Sequence, residues 1–225
     1  MSTLCFENVS YRYKGGDTDA LSTVSCTFEE GVVSAVVGPS GSGKTTLLSI
    51  MAGLDKPSTG RVSIDGEDYA KLDLDRCRRE RVSVIFQAFH LFPLLTVLEN
   101  VCYPLEQNGS KKADAIKRAR ELLATVDISP DKHKRYPSNL SGGEQQRVAI
   151  ARALSSGARV LLADEPTGNL DRQNGERVME VLKKLAHEEG YCIVVVTHSA
   201  VISEASDRVF RMADGKLSEE SGLSD

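Results

Sequence analysis

The sequence has no tryptophan, and aromatic residues make up only 5% of its 225 positions. Its five cysteines, Cys5, Cys26, Cys77, Cys102 and Cys192, lie far apart with no CxxC pair and an odd total. That spacing excludes a zinc cage and a disulfide framework, and it fits a reduced, cytosolic setting. No apolar run approaches the ~18 residues that a membrane span needs, and the opening MSTLCFENVS has neither a basic nor an apolar segment of the secretory kind. A membrane role is therefore expected to run through a partner, and NGS at Asn108 to Ser110 reads as a loop. The net charge of -4 leaves no broad basic footprint for nucleic acid. The densest basic stretch, DRCRRERV from Asp75 to Val82, interleaves acids and reads as a solvated face. Internal repeats, low-complexity tracts and long linkers are all missing.

What is present is an ordinary globular balance, 40% hydrophobic and 27% charged, in a chain long enough for one sizeable core with a smaller lobe inserted. Three short β-branched runs stand out: VVSAVVG (Val32 to Gly38), RVLLADE (Arg159 to Glu165) and CIVVVTH (Cys192 to His198). Each is continuously apolar, as in strands covered on both faces of a parallel sheet, and each ends in glycine or polar residues. Open α/β sheets place their ligands at such strand ends. Helical patterns follow in TTLLSIMAGL and in GERVMEVLKKLAHEEG, where Val178, Val181, Leu182 and Leu185 share a face and Gly190 marks a stop. The early segments TLCFENVSYRYKGG, STVSCTFEEG and GRVSIDGEDY alternate polar and apolar residues, which predicts a small antiparallel sheet. From about Ala88 to Leu154 the pattern turns helical, most clearly in KKADAIKRARELLATVDI, and reads as the inserted lobe.

The stretch GPSGSGKT, Gly38 to Thr45, fits G-x-x-x-x-G-K-[ST] between a strand and a helix. Gly38, Gly41 and Gly43, with Pro39, Ser40 and Ser42 between them, let backbone N–H groups turn around phosphates. Lys44 reaches the β/γ oxygens, the Thr45 hydroxyl can ligate Mg²⁺, and the helix directs its positive end at the same anion. A second acidic element, VLLADEP, ends a buried strand. Asp164 is expected to hold Mg²⁺ through its water shell, and Glu165 to polarise a water for attack on the γ-phosphate.

The fifteen residues LSGGEQQRVAIARAL, Leu140 to Leu154, match the signature of ABC-type ATPases, which the chain resembles over nearly its whole length. The resemblance implies an α/β fold of the P-loop NTPase (RecA-like) type: a mostly parallel sheet core, an N-terminal antiparallel β subdomain and an inserted α-helical subdomain. It implies one ATPase domain over residues 1–225, with 1–87 and 155–225 in the β subdomain and core and 88–154 in the helical part. It further implies a head-to-tail dimer holding two Mg-ATP. Each ATP is gripped by Gly38 to Thr46 of one chain and by Ser141, Gly142, Gly143 and Glu144 of the other. Tyr13 would stack on adenine, with Tyr11, two positions away on the same strand face, as the alternative. By the same resemblance Gln87 would contact the Mg²⁺ and the attacking water, His198 the γ-phosphate, and Asp171 would link the sites. Lys44, Glu165, Gln87 and His198 are all present, which implies an active ATPase.

After Gln87 comes AFHLFPLLTVLENV, with more apolar side chains than a small helical lobe buries easily. In ABC transporters this segment meets a separate membrane permease, and Phe89, Leu91, Phe92 and Leu94 are the expected contacts. That would place the chain on the cytoplasmic face of the membrane, held through its permease. The finer resemblance is to the lipoprotein-releasing, macrolide-efflux and antimicrobial-peptide-resistance group, apart from Ser199 after His198 where many relatives have aspartate. The competing class, soluble ABC-type ATPases of DNA repair, splits its halves with long coiled-coil heptads, which this sequence lacks.

Overall fold

A computed structural model describes residues 3–220. The chain runs through β1 (Leu4–Tyr11), β2 (Leu21–Phe28), β3 (Val33–Val37), α1 (Lys44–Met51), β4 (Thr59–Ile64), β5 (Glu67–Asp68), α2 (Leu74–Glu80) and β6 (Val82–Ile85). Three helices follow, α3 (Val97–Gln107), α4 (Lys112–Thr125) and α5 (Gly142–Leu154). The rest is β7 (Val160–Asp164), α6 (Arg172–His187), β8 (Cys192–Thr197), α7 (Ala200–Ala205), β9 (Arg208–Ala213) and β10 (Lys216–Glu219).

The alternating segments form the four-stranded antiparallel sheet β2-β1-β4-β5, with Leu4, Phe6 and Val9 turned inward from β1. The continuously apolar runs lie at the centre of a six-stranded sheet of order β10-β9-β3-β8-β7-β6. Strands β9, β3, β8, β7 and β6 are parallel, and only the edge strand β10 runs antiparallel. Their lack of alternation has a direct cause, because both faces are covered. From β7 and β8, Leu161, Ala163, Ile193 and Val195 pack with α5 and α6. Val160, Leu162, Cys192, Val194 and Val196 pack on the other side with α1 and the antiparallel sheet. Strands β6, β9 and β10 go beyond the three core strands that the apolar runs announce: β9 and β10 form an edge hairpin with exposed alternate residues, so their apolar content is diluted.

Helix α6 buries Val178, Val181, Leu182 and Leu185 as one stripe, and Asp171 caps it by accepting from Asn174 N. The region before α3 is irregular, and α3 starts only where Thr96 and Glu99 close a capping box. Ser141 and Glu144 do the same for α5. Arg76 and Glu80, and Arg78 and Asp75, pair along the mostly exposed surface of α2, as a solvated charged face requires.

Candidate nucleotide site

Strands β3, β7 and β8 are adjacent and parallel, so their C-terminal ends bring Gly38, Asp164 to Glu165 and Thr197 to His198 to one edge of the sheet. A cleft of about 640 Å³ lies there, lined by Tyr13, Ser40 to Gly41, Gly43 to Thr46, Gln87, Asp164, Glu165 and His198 among others. Residues that are distant in sequence thus meet as expected.

The loop from Gly38 needs its glycines for space as well as for conformation. A Cβ on Gly38 would stand 2.1 Å from Met212 O of β9. Gly43 caps α1 with φ +108°, and a Cβ there would stand 2.5 Å from Ala20 O. Lys44 Nζ donates to Gly38 O at 2.8 Å and to Pro39 O at 2.9 Å, so the cation is folded into the mouth of its own loop. The first N–H groups of α1 face the same space with no intrahelical acceptor.

Glu165 departs from β7 with φ 45°, a left-handed conformation that costs a residue with a side chain on the order of 1 kcal/mol or more. Its N–H still donates to Val196 O at 2.9 Å, which extends the β7–β8 pairing by one step. Its carboxylate accepts from the buried Thr197 hydroxyl at 2.9 Å and from His198 Nδ1 at 2.5 Å. Beside it, burial and the Glu165 charge push the Asp164 carboxyl above its ordinary value, and Lys44 only partly offsets them. Gln87 Nε2 donates to Asn169 Oδ1 at 3.3 Å, and Asn169 Nδ2 returns a bond to Gln87 O at 3.1 Å.

Tyr13 lines the cleft, its hydroxyl 2.8 Å from Thr46 Oγ1. It does not share a strand face with Tyr11. Strand β1 ends at Tyr11, and Tyr13 opens a turn closed by Gly16 N donating to Tyr13 O. The two rings meet edge to face at 5.0 Å, with Tyr11 packed toward the core as a buttress.

Ser141, Gly142, Gly143, Glu144 and Asp171 stand outside this cleft, at the start of α5 and α6. Gly143 meets Asn174, whose Oδ1 would be 2.4 Å from a Cβ at that position. Asn174 Nδ2 in turn donates to Asp171 Oδ2 at 2.7 Å. Burial works to raise the Glu144 carboxyl, but its contacts with Lys132 and Ser141 outweigh that and hold it below the ordinary range. Glu144 therefore serves its own helix end. Asp171 is held low by the Asn174 N–H groups.

The starts of α1 and α5 are therefore separate, and of the two it is α1 that opens into the cleft. A family model described as ABC transporter matches residues 21–168, the span from β2 through the nucleotide loop to just past the acidic pair. The chain belongs to the ABC transporter family. It is an ATP-binding cassette with ATPase activity. The ABC transporter ATP-binding protein MJ0796 of Methanocaldococcus jannaschii is 43% identical over 225 residues, covering 96% of this chain and 96% of that protein. The dimeric post-hydrolysis structure of MJ0796 bound to ADP and Pi matches with a TM-score of 0.85 at 41% identity, over 96% of this chain and 97% of that one. The macrolide export ATP-binding/permease protein MacB 2 of Aeromonas hydrophila is 42% identical over 221 residues, 96% of this cassette but 34% of that longer protein.

Of the apolar segment after Gln87, Leu94 is 87% exposed and Phe92 41%, whereas Phe89 and Leu91 are half-buried against the cassette's own lobe. Phe86 and Tyr103 join the exposed group, and the Phe92 and Tyr103 rings meet at 5.0 Å. Thr197, Asn169 and Asn174 are site neighbours that the sequence gives no local signal for: a lone hydroxyl or amide acquires its meaning only from a partner far along the chain.

Proposed function

We propose that this cassette binds Mg-ATP in the cleft between β3, β7 and β8, pairs head to tail with a second copy, and drives a separate membrane permease. The observation that carries the reading is the Glu165 carboxylate, fixed by Thr197 and His198 within the same cleft as Lys44. Fixed in this way, Glu165 is oriented to accept a proton from a water attacking in line, while Lys44 leaves its loop carbonyls for the β/γ oxygens. Residues Gly38 to Thr46 cradle the phosphates, Tyr13 stacks on adenine, and His198 turns from Glu165 to the γ-phosphate, leaving the Thr197 hydroxyl to hold the carboxylate.

The donor set fits magnesium. Thr45, Gln87 and Asp164 all line the cleft and can each offer an oxygen, and Asp164 is an acid whose raised affinity for protons a cation would relieve. When bound, magnesium neutralises charge on the transferring phosphoryl group.

Dimerisation gives the second helix start a use: Ser141, Gly142 and Gly143, at the α5 terminus with Glu144 as its brace, reach the nucleotide of the partner, and Asp171 connects the sites. The dimeric MJ0796 structure, bound to ADP and Pi, supports that arrangement. In this reading residues 88–154 form a helical lobe within one ATPase domain, built on 1–87 and 155–225. Phe92 and Leu94, seated by Phe89 and Leu91, meet the permease, which holds the cassette at the cytoplasmic face of the membrane. Support comes from the ATP-binding/permease relative, from the exposure of Leu94, and from the absence, among the described residues, of a helix long and apolar enough to cross a membrane.

The test is affinity purification of tagged E165Q from mildly solubilised cells with ATP and Mg²⁺, followed by mass spectrometry. A stoichiometric polytopic membrane protein is the expected result. Recovery of soluble or DNA-associated proteins alone would replace the permease with a soluble role.

A further inference from the structure

Helix α5 is fastened to the chain on both sides of Gln87. Before it, the fully buried Gln146 donates from Nε2 to Phe86 O at 3.4 Å. After it, Arg152 donates from Nη1 to His90 O and from Nη2 to Phe89 O at 3.3 Å, and its guanidinium lies over the Phe92 ring, 5.8 Å from the centroid.

Arg152 sits in this place at a cost. Burial alone lowers its affinity for its proton, with no acid acting in the opposite direction. A guanidinium partly withdrawn from water without a carboxylate is stabilised by what it finds, here two backbone carbonyls and the face of the Phe92 ring. One carbonyl belongs to His90, at a left-handed φ of 49°. A segment with that geometry and little regular hydrogen bonding does not hold its own shape. A neutral, shorter residue at 152 would leave both carbonyls short of a donor and the turn free to relax.

We propose that Arg152 is a positioning residue for hydrolysis: it acts through Gln87, by fixing the segment Phe89 to His90 to the helix whose first turn is Ser141 to Gly143. This rests on the assignment of Gln87 made above. Its consequence is a mechanical link inside one chain. Helix α5, 13 residues long, carries at its N-terminus the turn that meets the partner's nucleotide and toward its C-terminus the anchor of its own Gln87. The Phe92 ring under the guanidinium extends the same anchor to the exposed apolar surface. A push on Phe92 or on the Ser141 turn therefore reaches the downstream side of Gln87 through Arg152, while Gln146 holds the upstream side at Phe86.

A double-mutant cycle on the purified full chain tests this, with R152A, Q87A and R152A/Q87A assayed for ATPase activity across a Mg²⁺ titration. R152A is expected to lower kcat about tenfold or more and to raise the half-saturating Mg²⁺ concentration, with ATP affinity of the monomer within about threefold of wild type. In the Q87A background the same substitution is expected to cost less than about twofold, because the two act in series. R152K, which keeps the charge but replaces the two-pronged donor, should fall between wild type and R152A; if R152A does not fold, R152K carries the same cycle. Equal losses in both backgrounds would make Arg152 a purely structural brace and overturn the proposal. Wild-type turnover by Q87A alone would instead overturn the Gln87 assignment, and the single variants distinguish that failure from failure of the clamp.

Discussion

His198 Nδ1 stands 2.5 Å from Glu165 Oε1, so the residue just after β8 supports the carboxylate just after β7. With the Thr197 hydroxyl on the other oxygen, Glu165 has a fixed plane before any water arrives. Replacing it by glutamine keeps the shape, turns one of the two accepting oxygens into an N–H donor, and removes the proton acceptor. E165Q is expected to lose about a hundredfold or more in turnover while binding ATP within about threefold of wild type, and size-exclusion chromatography with Mg-ATP should show a trapped dimer. Near-normal turnover would remove Glu165 from the chemistry.

Asp164 pulls stability and activity in opposite directions. Its folded-state pKa is raised by burial and by Glu165, so ionisation at neutral pH favours the unfolded chain. That cost is fully present above the raised folded value and disappears below the unfolded one. D164N should therefore melt about 2 °C higher than wild type in nucleotide-free buffer at pH 7, with the gap closing as pH falls toward 4, while ATPase activity is lost. Scanning calorimetry at both pH values checks the sign; a D164N chain less stable at pH 7 contradicts it.

Gly143 has no room for a methyl group, because Asn174 Oδ1 would stand 2.4 Å from it. G143A should displace Asn174 and with it the bond to Asp171, lowering stability by about 1–3 kcal/mol and disabling the shared site. Nucleotide binding to the monomer, measured by fluorescence titration, should survive because the cleft of the same chain lies elsewhere. Loss of monomer binding would place the signature turn in its own chain's site.

Leu94 contributes almost nothing to the core, being 87% exposed. L94E should leave the unfolding free energy within about 0.5 kcal/mol of wild type and abolish co-purification of the membrane partner. Retained co-purification would move the docking surface away from this segment.

Where the chemistry depends on spacing along the chain, the sequence was legible: the glycine loop, the acidic pair and the signature each sit at the element boundary their pattern demanded. Where it depends on two residues far apart, nothing local announced it. Asn169 and Gln87, Thr197 and Glu165, Asn174 and Gly143, and Arg152 and His90 meet only because parallel strands and α5 bring them together. Tyr13 shows a middle case. Alternation from Tyr11 suggested a shared strand face, but the strand stops first and the turn after it delivers Tyr13 to the cleft. Strands β9 and β10 were hidden for another reason, since an edge hairpin half open to water carries too weak an apolar pattern to stand out.

If each site needs two chains, the specific ATPase activity of the purified cassette at saturating Mg-ATP must depend on the concentration of the cassette itself. Activity per chain should rise in proportion to concentration when monomers dominate and level off once dimers form. A specific activity that stays constant while the protein is monomeric would contradict it.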